Sequence, residues 1–280
     1  MSTRSRLGAV LALAMALPAA AGLPATPAAT LPVTLAGLRD VKLLDAGSFV
    51  VTGLPPFARE ETFEFLRRPD GGVTLLSATT MSNGALRVQA RYDYDAGWRA
   101  VAGSGLGIYQ DEPVQVSLQA VPGAVAIRVR GPKTSLDRTI ACPAGCDLDM
   151  APSGSPMYVM TRRYDRAKGG VQVFQWAAQD LTQALTSPPN QRTELRYRGD
   201  LPISRADGST VTLRDYEMIE RIPTSDGGLF VMEFDLWTDD ADRPMGYRIN
   251  RTGGKASTAG IVGFRKGYED VRDRLAGPPR

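Results

Sequence analysis

Residues 86–95 read Leu-Arg-Val-Gln-Ala-Arg-Tyr-Asp-Tyr-Asp, with apolar and polar side chains in alternation. Because successive side chains of a β-strand point to opposite faces, this pattern predicts a strand with one buried and one hydrated face. Similar alternation recurs in residues 114–119, 125–130, 194–198 and 245–250. Strands with one hydrated face are typical of antiparallel sheets, because parallel sheets are usually buried on both faces.

Turn signals separate these strands. Asn83-Gly84 between two strand-like segments predicts a two-residue hairpin, and Asp70-Gly71-Gly72 and Asp207-Gly208 have the same turn chemistry. The glycine-rich residues 103–107 are interpreted as a bend between strands. In residues 211–218 the apolar side chains change parity, which predicts a β-bulge that bends the strand.

Helical patterns are scarce and short, at residues 160–168, 177–185 and 268–275. Ten or more amphipathic strands need their apolar faces covered, and a curled sheet achieves this by closing on itself or wrapping a helix. The predicted fold is therefore mainly β: a large curved antiparallel sheet, half-barrel or open barrel, with a few short helices.

The N-terminal segment has the pattern of a cleavable secretory signal. Two arginines, an apolar run and the small residues Ala19-Ala20-Ala21 follow one another. The run is about 15 residues, shorter than the roughly 20 that span a bilayer. We predict a signal peptide at 1–21, a flexible Ala/Pro/Thr tether at 22–34 and one β-rich domain at 35–280. Two sub-halves meeting near residue 155 remain an open alternative.

The sequence of 280 residues contains no histidine. This excludes Ser-His-Asp triads, Cys-His dyads and imidazole metal sites. Carboxylates, Ser-Lys pairs or tyrosine could still catalyse, so an enzyme is disfavoured rather than excluded, and no catalytic residue is assigned. The formal charge of +3 includes the two arginines of the leader, so the mature chain is nearly neutral and shows no nucleic-acid footprint. No cofactor and no metal site are predicted.

The two cysteines, Cys142 and Cys146, flank a Pro-Ala-Gly turn. Cysteine pairs tend to close in the oxidising compartments that exported proteins reach, so we predict a disulfide and a periplasmic or secreted location. A redox-active pair is the alternative, but the usual redox spacing has two intervening residues rather than three.

Large apolar side chains are concentrated in residues 230–237. Together with aromatic residues on other strands, they predict a ligand-binding face formed by Phe230, Met232, Phe234, Leu236, Tyr92, Tyr94, Phe174 and Trp176. Methionine and aromatic groups can line a pocket for an apolar ligand. The same residues can equally form a filled core.

The run 236–240 (Leu-Trp-Thr-Asp-Asp), continuing into 244–249 (Pro-Met-Gly-Tyr-Arg-Ile), resembles exported proteins of the LolA/LolB-like and DUF3108-like half-barrel class. The resemblance covers about residues 160–265. It implies a curved antiparallel sheet around helical cover and, for some members, carriage of lipids or lipoproteins across the periplasm. It transfers no catalytic or binding residue. The long N-terminal half and the 142–146 loop depart from it.

Three functional hypotheses follow from the sequence. The leading one is an exported protein, not integral to the membrane, that binds an apolar small molecule, a lipid or an envelope protein in the concavity of its sheet. The others are an exported hydrolase with a carboxylate pair and a structural envelope accessory protein without a ligand. An apolar cavity favours the first, two convergent acids in a polar cleft favour the second, and a packed core with an apolar outer patch favours the third.

The leader generates a direct prediction. We expect cleavage after Ala21, because a charged start, an apolar run and small residues are the features that signal peptidase recognises. The intact mass of the exported protein should correspond to a chain that begins at Gly22. Recovery of full-length protein in the membrane fraction would identify an uncleaved anchor instead.

Overall fold

The computed structural model describes eight stretches of the chain, all within a unit that spans Leu31–Arg280. They are residues 38–52, 60–80, 86–109, 112–149, 154–178, 191–223, 228–252 and 261–275. The predicted leader at 1–21, the predicted tether at 22–34, the Asn83-Gly84 turn and residues 179–185 of a predicted helix lie outside the described residues.

The secondary structure is mainly β. The first eight strands are β1 (Lys42–Thr52), β2 (Glu60–Arg67), β3 (Val73–Thr80), β4 (Leu86–Tyr94), β5 (Ala100–Tyr109), β6 (Glu112–Val121), β7 (Ala124–Arg130) and β8 (Ser135–Ala141). The remaining elements are β9 (Asp147–Asp149), α1 (Met157–Arg163), β10 (Val171–Ala178), β11 (Gln191–Ser204), β12 (Thr210–Pro223), β13 (Leu229–Thr238), β14 (Pro244–Thr252), β15 (Ile261–Arg265) and α2 (Glu269–Leu275).

All fifteen strands belong to one sheet, ordered β8-β7-β6-β5-β4-β3-β2-β1-β15-β14-β13-β12-β11-β10-β9. The chain forms a meander from β1 out to one edge at β8. It then crosses to the other edge at β9 and returns strand by strand to β15, which pairs with β1. Every pairing is antiparallel except that of β9 with β10. The predicted fold class is confirmed: a large, curved, open antiparallel sheet with two short helices.

The two faces of the sheet are covered by different helices. The main apolar core lies on the face that we call the inner face, and it takes residues from β1 through β14 and from α1. A smaller cluster on the outer face places Val271 of α2 against Leu213 and Trp237. Residues 177–178 belong to β10 rather than to the helix predicted at 177–185, and α1 begins and ends earlier than the predicted helix at 160–168.

The parity change in residues 211–218 has a different cause from the predicted bulge. β12 is continuously paired, and Leu213 is buried on the outer face beneath α2, whereas Tyr216 and Met218 are buried on the inner face. The bulge lies in the neighbouring strand β11, between Tyr197 and Gly199. The prediction was wrong because a strand covered on both faces at different heights imitates a bulge in its hydrophobic pattern.

Residues 103–107 are also not a bend, because they lie within β5. Gly103, Gly105 and Gly107 pair with Tyr92, Ala90 and Val88, all three of which are buried in the inner core. β9 packs against β5, although the two are not neighbours in the sheet. Glycines in a strand often mark a place where a second backbone approaches closely, which agrees with the contact between β9 and β5.

Four hairpins at one end of the sheet, which we call the hairpin end, share one geometry. In turns 68–72, 95–99, 205–209 and 239–243, the N–H of the first residue donates to the carbonyl of the fifth, and the N–H of the fourth donates to the carbonyl of the first. The fourth residue has a positive φ in each turn: Gly71, Trp98, Gly208 and Asp242. A left-handed conformation costs a residue with a side chain roughly 1–2 kcal/mol. Trp98 and Asp242 thus adopt a conformation that glycine adopts at lower cost.

The cysteine loop follows β8 at the same end. Cys142 and Cys146 form the predicted disulfide, and Gly145 has a φ of 81°. Both cysteines are buried in the inner core. The bridge thus holds the short connection that leads from β8 to β9 across the sheet.

We expect the Cys142→Ser/Cys146→Ser double variant to lose no more than about 2 kcal/mol of unfolding free energy, because the closed loop is very short. Urea denaturation of oxidised wild type and variant measures the difference. A much larger loss would mean that the buried sulfurs contribute packing beyond the loop constraint. Loss of function in a folded variant would point to the redox alternative.

Candidate functional site: the inner face and helix α1

The structure brings most of the predicted ligand-binding residues together on the inner face. Tyr92, Tyr94, Phe174, Trp176, Phe234 and Leu236 belong to the main core, with exposures of 0–7%. Met232 is half-buried and packs against this core. Phe230 is half-buried on the same face of β13, nearer the strand end remote from the hairpins. A side chain with no exposed surface does not border a water-sized space, so Tyr92 and Leu236 lie in filled parts of the interior.

Helix α1 fills part of the interior that the inner face of the sheet encloses. Met157, Tyr158, Val159 and Met160 are buried, with exposures of at most 8%, and join the main core. The Tyr158 ring stacks on Phe49 of β1 with ring centroids 5.6 Å apart. The sheet therefore wraps a helix of its own chain, as the sequence analysis envisaged for a curled sheet.

Glu61 fixes the entrance to this helix. Its side chain is 2% exposed, and its two carboxylate oxygens accept hydrogen bonds from the N–H groups of Gly154 (2.7 Å) and Ser155 (2.9 Å). A carboxylate that accepts amide hydrogen bonds forms charge-assisted bonds, which are stronger than neutral ones. The sequence analysis missed Glu61, although it shares the parity of the apolar residues Phe63 and Phe65 in β2 and was therefore marked as inward-facing.

Close packing around Tyr247 completes this attachment. A side chain at Gly154 would collide with the Tyr247 ring, since a Cβ there would lie 2.7 Å from its Cε1 atom. A Cβ at Gly263 would lie 2.3 Å from the same ring atom. Burial and the nearby Glu61 raise the pKa of Tyr247 above its usual value, and burial also raises the pKa of Tyr158. Both phenols are therefore protonated across the physiological pH range.

The other end of α1 is held by an ion pair. Arg163 contacts Asp147 of β9, whose side chain is 4% exposed, and the Arg163 guanidinium lies 5.2 Å from the centre of the Phe174 ring. Burial raises the pKa of Asp147 despite the opposing effect of Arg163. Because the helix is fixed at both ends, it is a built-in part of the interior.

The part of the inner face remote from the hairpins is less completely covered. Ile222 of β12 pairs with Phe230, and Phe234 pairs with Ile249 of β14. We call the half-buried inner residues at this end the open-end patch: Glu220, Ile222, Phe230, Met232 and Ile249. The patch is mainly apolar and includes two of the residues singled out from the sequence, Phe230 and Met232.

Two polar atoms are buried near this end of the sheet. Trp176 Nε1 and Thr193 Oγ1 have no hydrogen-bond partner in the described part of the chain. Thr193 pairs with Phe174, and Trp176 lies two residues further along β10, so both face the interior. A buried donor or acceptor without a partner costs about 1–3 kcal/mol.

The structure also contains a convergent carboxylate pair, as the hydrolase hypothesis requires. Asp215 and Asp235 both contact one Nη2 atom of Arg198, at 2.8 and 2.5 Å, and Arg248 binds Asp235 at 2.6 Å. Burial raises the pKa of Asp235, but Asn250 and the two arginines outweigh burial and hold that pKa below its usual value. A general acid needs a raised pKa instead. This arrangement is therefore better suited to holding strands β11 to β14 together on the outer face of the sheet.

Two further observations concern the kind of site. Within the described ranges, no three cysteine or carboxylate side chains gather as metal ligands would. Neither of the two described helices has the length and apolar character that a transmembrane helix needs.

Comparison with known proteins adds a similarity at the level of fold. No protein-family model matches the sequence, and no curated protein matches it. Among solved structures, the chain is similar to a β-barrel-like protein of domain of unknown function DUF1849 from Brucella abortus. The two are 10% identical with a TM-score of 0.49, and the match covers 79% of this chain and 94% of that chain. The large antiparallel sheet agrees with the fold that the sequence resemblance implied, and no family match supports a finer assignment.

The Glu61 attachment generates a prediction. Glu61→Gln keeps one oxygen acceptor but replaces the other with a donor that faces an N–H group, so we expect a loss of about 1–3 kcal/mol of unfolding free energy. Glu64→Gln is the matched control, because Glu64 is exposed on the opposite face of the same strand. Chemical denaturation should separate the two variants. Equal stabilities would show that the Glu61 carboxylate does not hold the start of α1.

Proposed function

We propose that this is an exported periplasmic or secreted protein that binds an apolar molecule, such as a lipid chain, at the open-end patch. The observation that carries the proposal is the uneven cover of the inner face. Helix α1 fills the interior towards the hairpin end, whereas the open-end patch keeps large apolar side chains only half-buried. The disulfide is consistent with an oxidising compartment.

The energetics are adequate for a small ligand. Removing apolar surface from water contributes about 25 cal/mol per Å². A few hundred Å² of an acyl chain against the patch would therefore give about micromolar affinity after association costs.

An envelope protein is the second candidate occupant. Strand β10 extends past the three-residue edge strand β9 and carries Val171 and Val173, which are 55% and 51% exposed on the outer face. Exposed apolar side chains beside a sheet edge suit protein contact better than they suit a small molecule. This candidate involves the outer face and leaves the open-end patch free, so the two can be separated by experiment.

Met232→Glu tests the lipid proposal. In a hydrated binding site the new carboxylate can remain solvated, so the variant should fold with a modest fall in melting temperature and lose binding of a fluorescent fatty-acid probe. Val231→Glu is the matched control, because Val231 pairs with Arg221 on the outer face and should keep binding.

A filled interior gives the contrary pattern. There Met232→Glu would bury an unpaired charge at a cost of several kcal/mol and unfold the protein. If wild type also binds no fatty-acid probe, the proposal is wrong and a structural accessory role is favoured.

A further inference from the structure

The hairpin end carries a cluster that the proposed lipid site does not use. Trp98 lies in the turn between β4 and β5, and two arginines lie close to its ring. The guanidinium carbon of Arg162, at the end of α1, lies 5.2 Å from the ring centre, and that of Arg67, at the end of β2, lies 5.8 Å from it. The distances are those of cation–π contacts.

The Trp98 backbone adopts a conformation that favours glycine. Trp98 has a φ of 63°, and the equivalent position in two of the other three hairpins is glycine. The turn is held by the Asp95 carboxylate, which accepts hydrogen bonds from the N–H groups of Gly97 (2.9 Å) and Arg99 (2.8 Å). Strained residues persist where the surrounding structure enforces them, and they are concentrated at functional sites.

The second non-glycine residue in the equivalent position lies near the same arginine. Asp242, with a φ of 57°, is one of three carboxylates whose charges act on Arg162, together with Asp239 and Asp45. Each of the three already has its own arginine. Asp45 pairs with Arg265 (2.8 Å), Asp239 with Arg243 (2.6 Å), and Asp242 with Arg166 (3.1 Å) and Arg214.

Arg162 and Arg67 are therefore left without a carboxylate of their own. In the described part of the chain neither forms an ion pair, and the only hydrogen bond of Arg67 runs from Nη1 to the Gly71 carbonyl (2.7 Å). Burial lowers the pKa of Arg162, against the effect of the three acids. A half-buried guanidinium loses hydration, and an anion restores that loss with charge-assisted hydrogen bonds.

We propose that the Trp98 cluster is a binding site for a phosphate group, with Arg162 and Arg67 as donors and the Trp98 ring as one wall. Two guanidinium groups that form no ion pair within the described residues match the charge of about −1.5 to −2 that a phosphate monoester carries at neutral pH. A carboxylate would neutralise only one of them. The phosphate could belong to a soluble metabolite or to a lipid headgroup.

Tryptophan fluorescence provides the assay, because Trp98 is half-buried whereas Trp176 and Trp237 are 3% and 2% exposed. Inorganic phosphate should change the emission saturably at constant ionic strength, and chloride should not. Arg162→Gln and Arg67→Gln should each weaken the apparent affinity by about tenfold or more. Trp98→Phe should remove the signal.

Arg128→Gln is the control, since Arg128 is 68% exposed on β7 and pairs with the exposed Asp137. Its affinity for phosphate should equal that of wild type. If Arg162→Gln does not fold, Arg67→Gln decides the question, because Arg67 lies at a strand end outside the helix. Equal affinities of the Arg67 variant, the Arg128 variant and wild type would overturn the proposal.

Vesicles distinguish the two sources of phosphate. Co-sedimentation with phosphatidylcholine vesicles that contain phosphatidic acid, but not with phosphatidylcholine alone, would identify a lipid headgroup if Arg67→Gln abolishes it. Binding of inorganic phosphate without vesicle binding would identify a soluble ligand. If neither inorganic phosphate nor phosphatidic acid vesicles bind, the proposal is wrong and the cluster is only a cation–π contact between α1 and the sheet. None of these outcomes depends on fatty-acid binding at the open-end patch.

Discussion

An apolar sheet face has to be removed from water, and this constraint governs the rest of the structure. The main core runs along the inner face from β1 through β14. At about 25 cal/mol per Å², leaving such a surface hydrated would cost more free energy than a domain has in reserve. The sheet meets the constraint by curling, by bringing β9 onto β5 and by enclosing α1. Bulges in several strand pairs supply bending that a regular ladder lacks.

The outer face of the sheet carries charged side chains that remain in contact with water. Cross-strand pairs such as Arg196–Glu217 (2.7 Å) and Arg221–Glu194 (3.2 Å) lie on the exposed side of β11 and β12. Exposed pairs of this kind contribute little stability individually. The buried Arg198–Asp235–Arg248 network differs, because removing one member would leave charges without compensation. It also reaches α2, since Arg248 donates to the Leu275 carbonyl at 2.9 Å.

Much of the fold was predictable because strand alternation is a local signal. The alternation in residues 86–95 correctly predicted β4, and Asp70-Gly71-Gly72 and Asp207-Gly208 correctly predicted hairpins. The errors have a shared physical origin. The parity change in residues 211–218 reflects the packing of α2 against β12, and the glycines of residues 103–107 lie in a strand that β9 contacts. Such partners are distant in sequence, so no local pattern reports them.

The candidate sites were less predictable than the fold. Sequence patterns correctly grouped Tyr92, Phe174 and Leu236 on one face, but they could not say that α1 covers that face. In the sequence, Glu61 stands out only as a charged residue at a position of β2 where the alternation predicts an apolar, inward-facing side chain. No sequence motif marks the Trp98 cluster. Its features are the shared geometry of four hairpin turns and the pairing of the nearby carboxylates with other arginines, and both are properties of the folded chain.

The order of the strands has a consequence for how the chain is assembled. The first and last strands are neighbours in the middle of the sheet, and their contact joins Thr52 to Val262 across 210 positions of sequence. Until β15 arrives, the two meanders are separate arms, each with an unpaired strand along its inner border. The pairing of β15 with both β1 and β14 joins the two arms into one sheet. Because long-range pairing of this kind forms slowly, we expect the joining of the two arms to be a late step in folding.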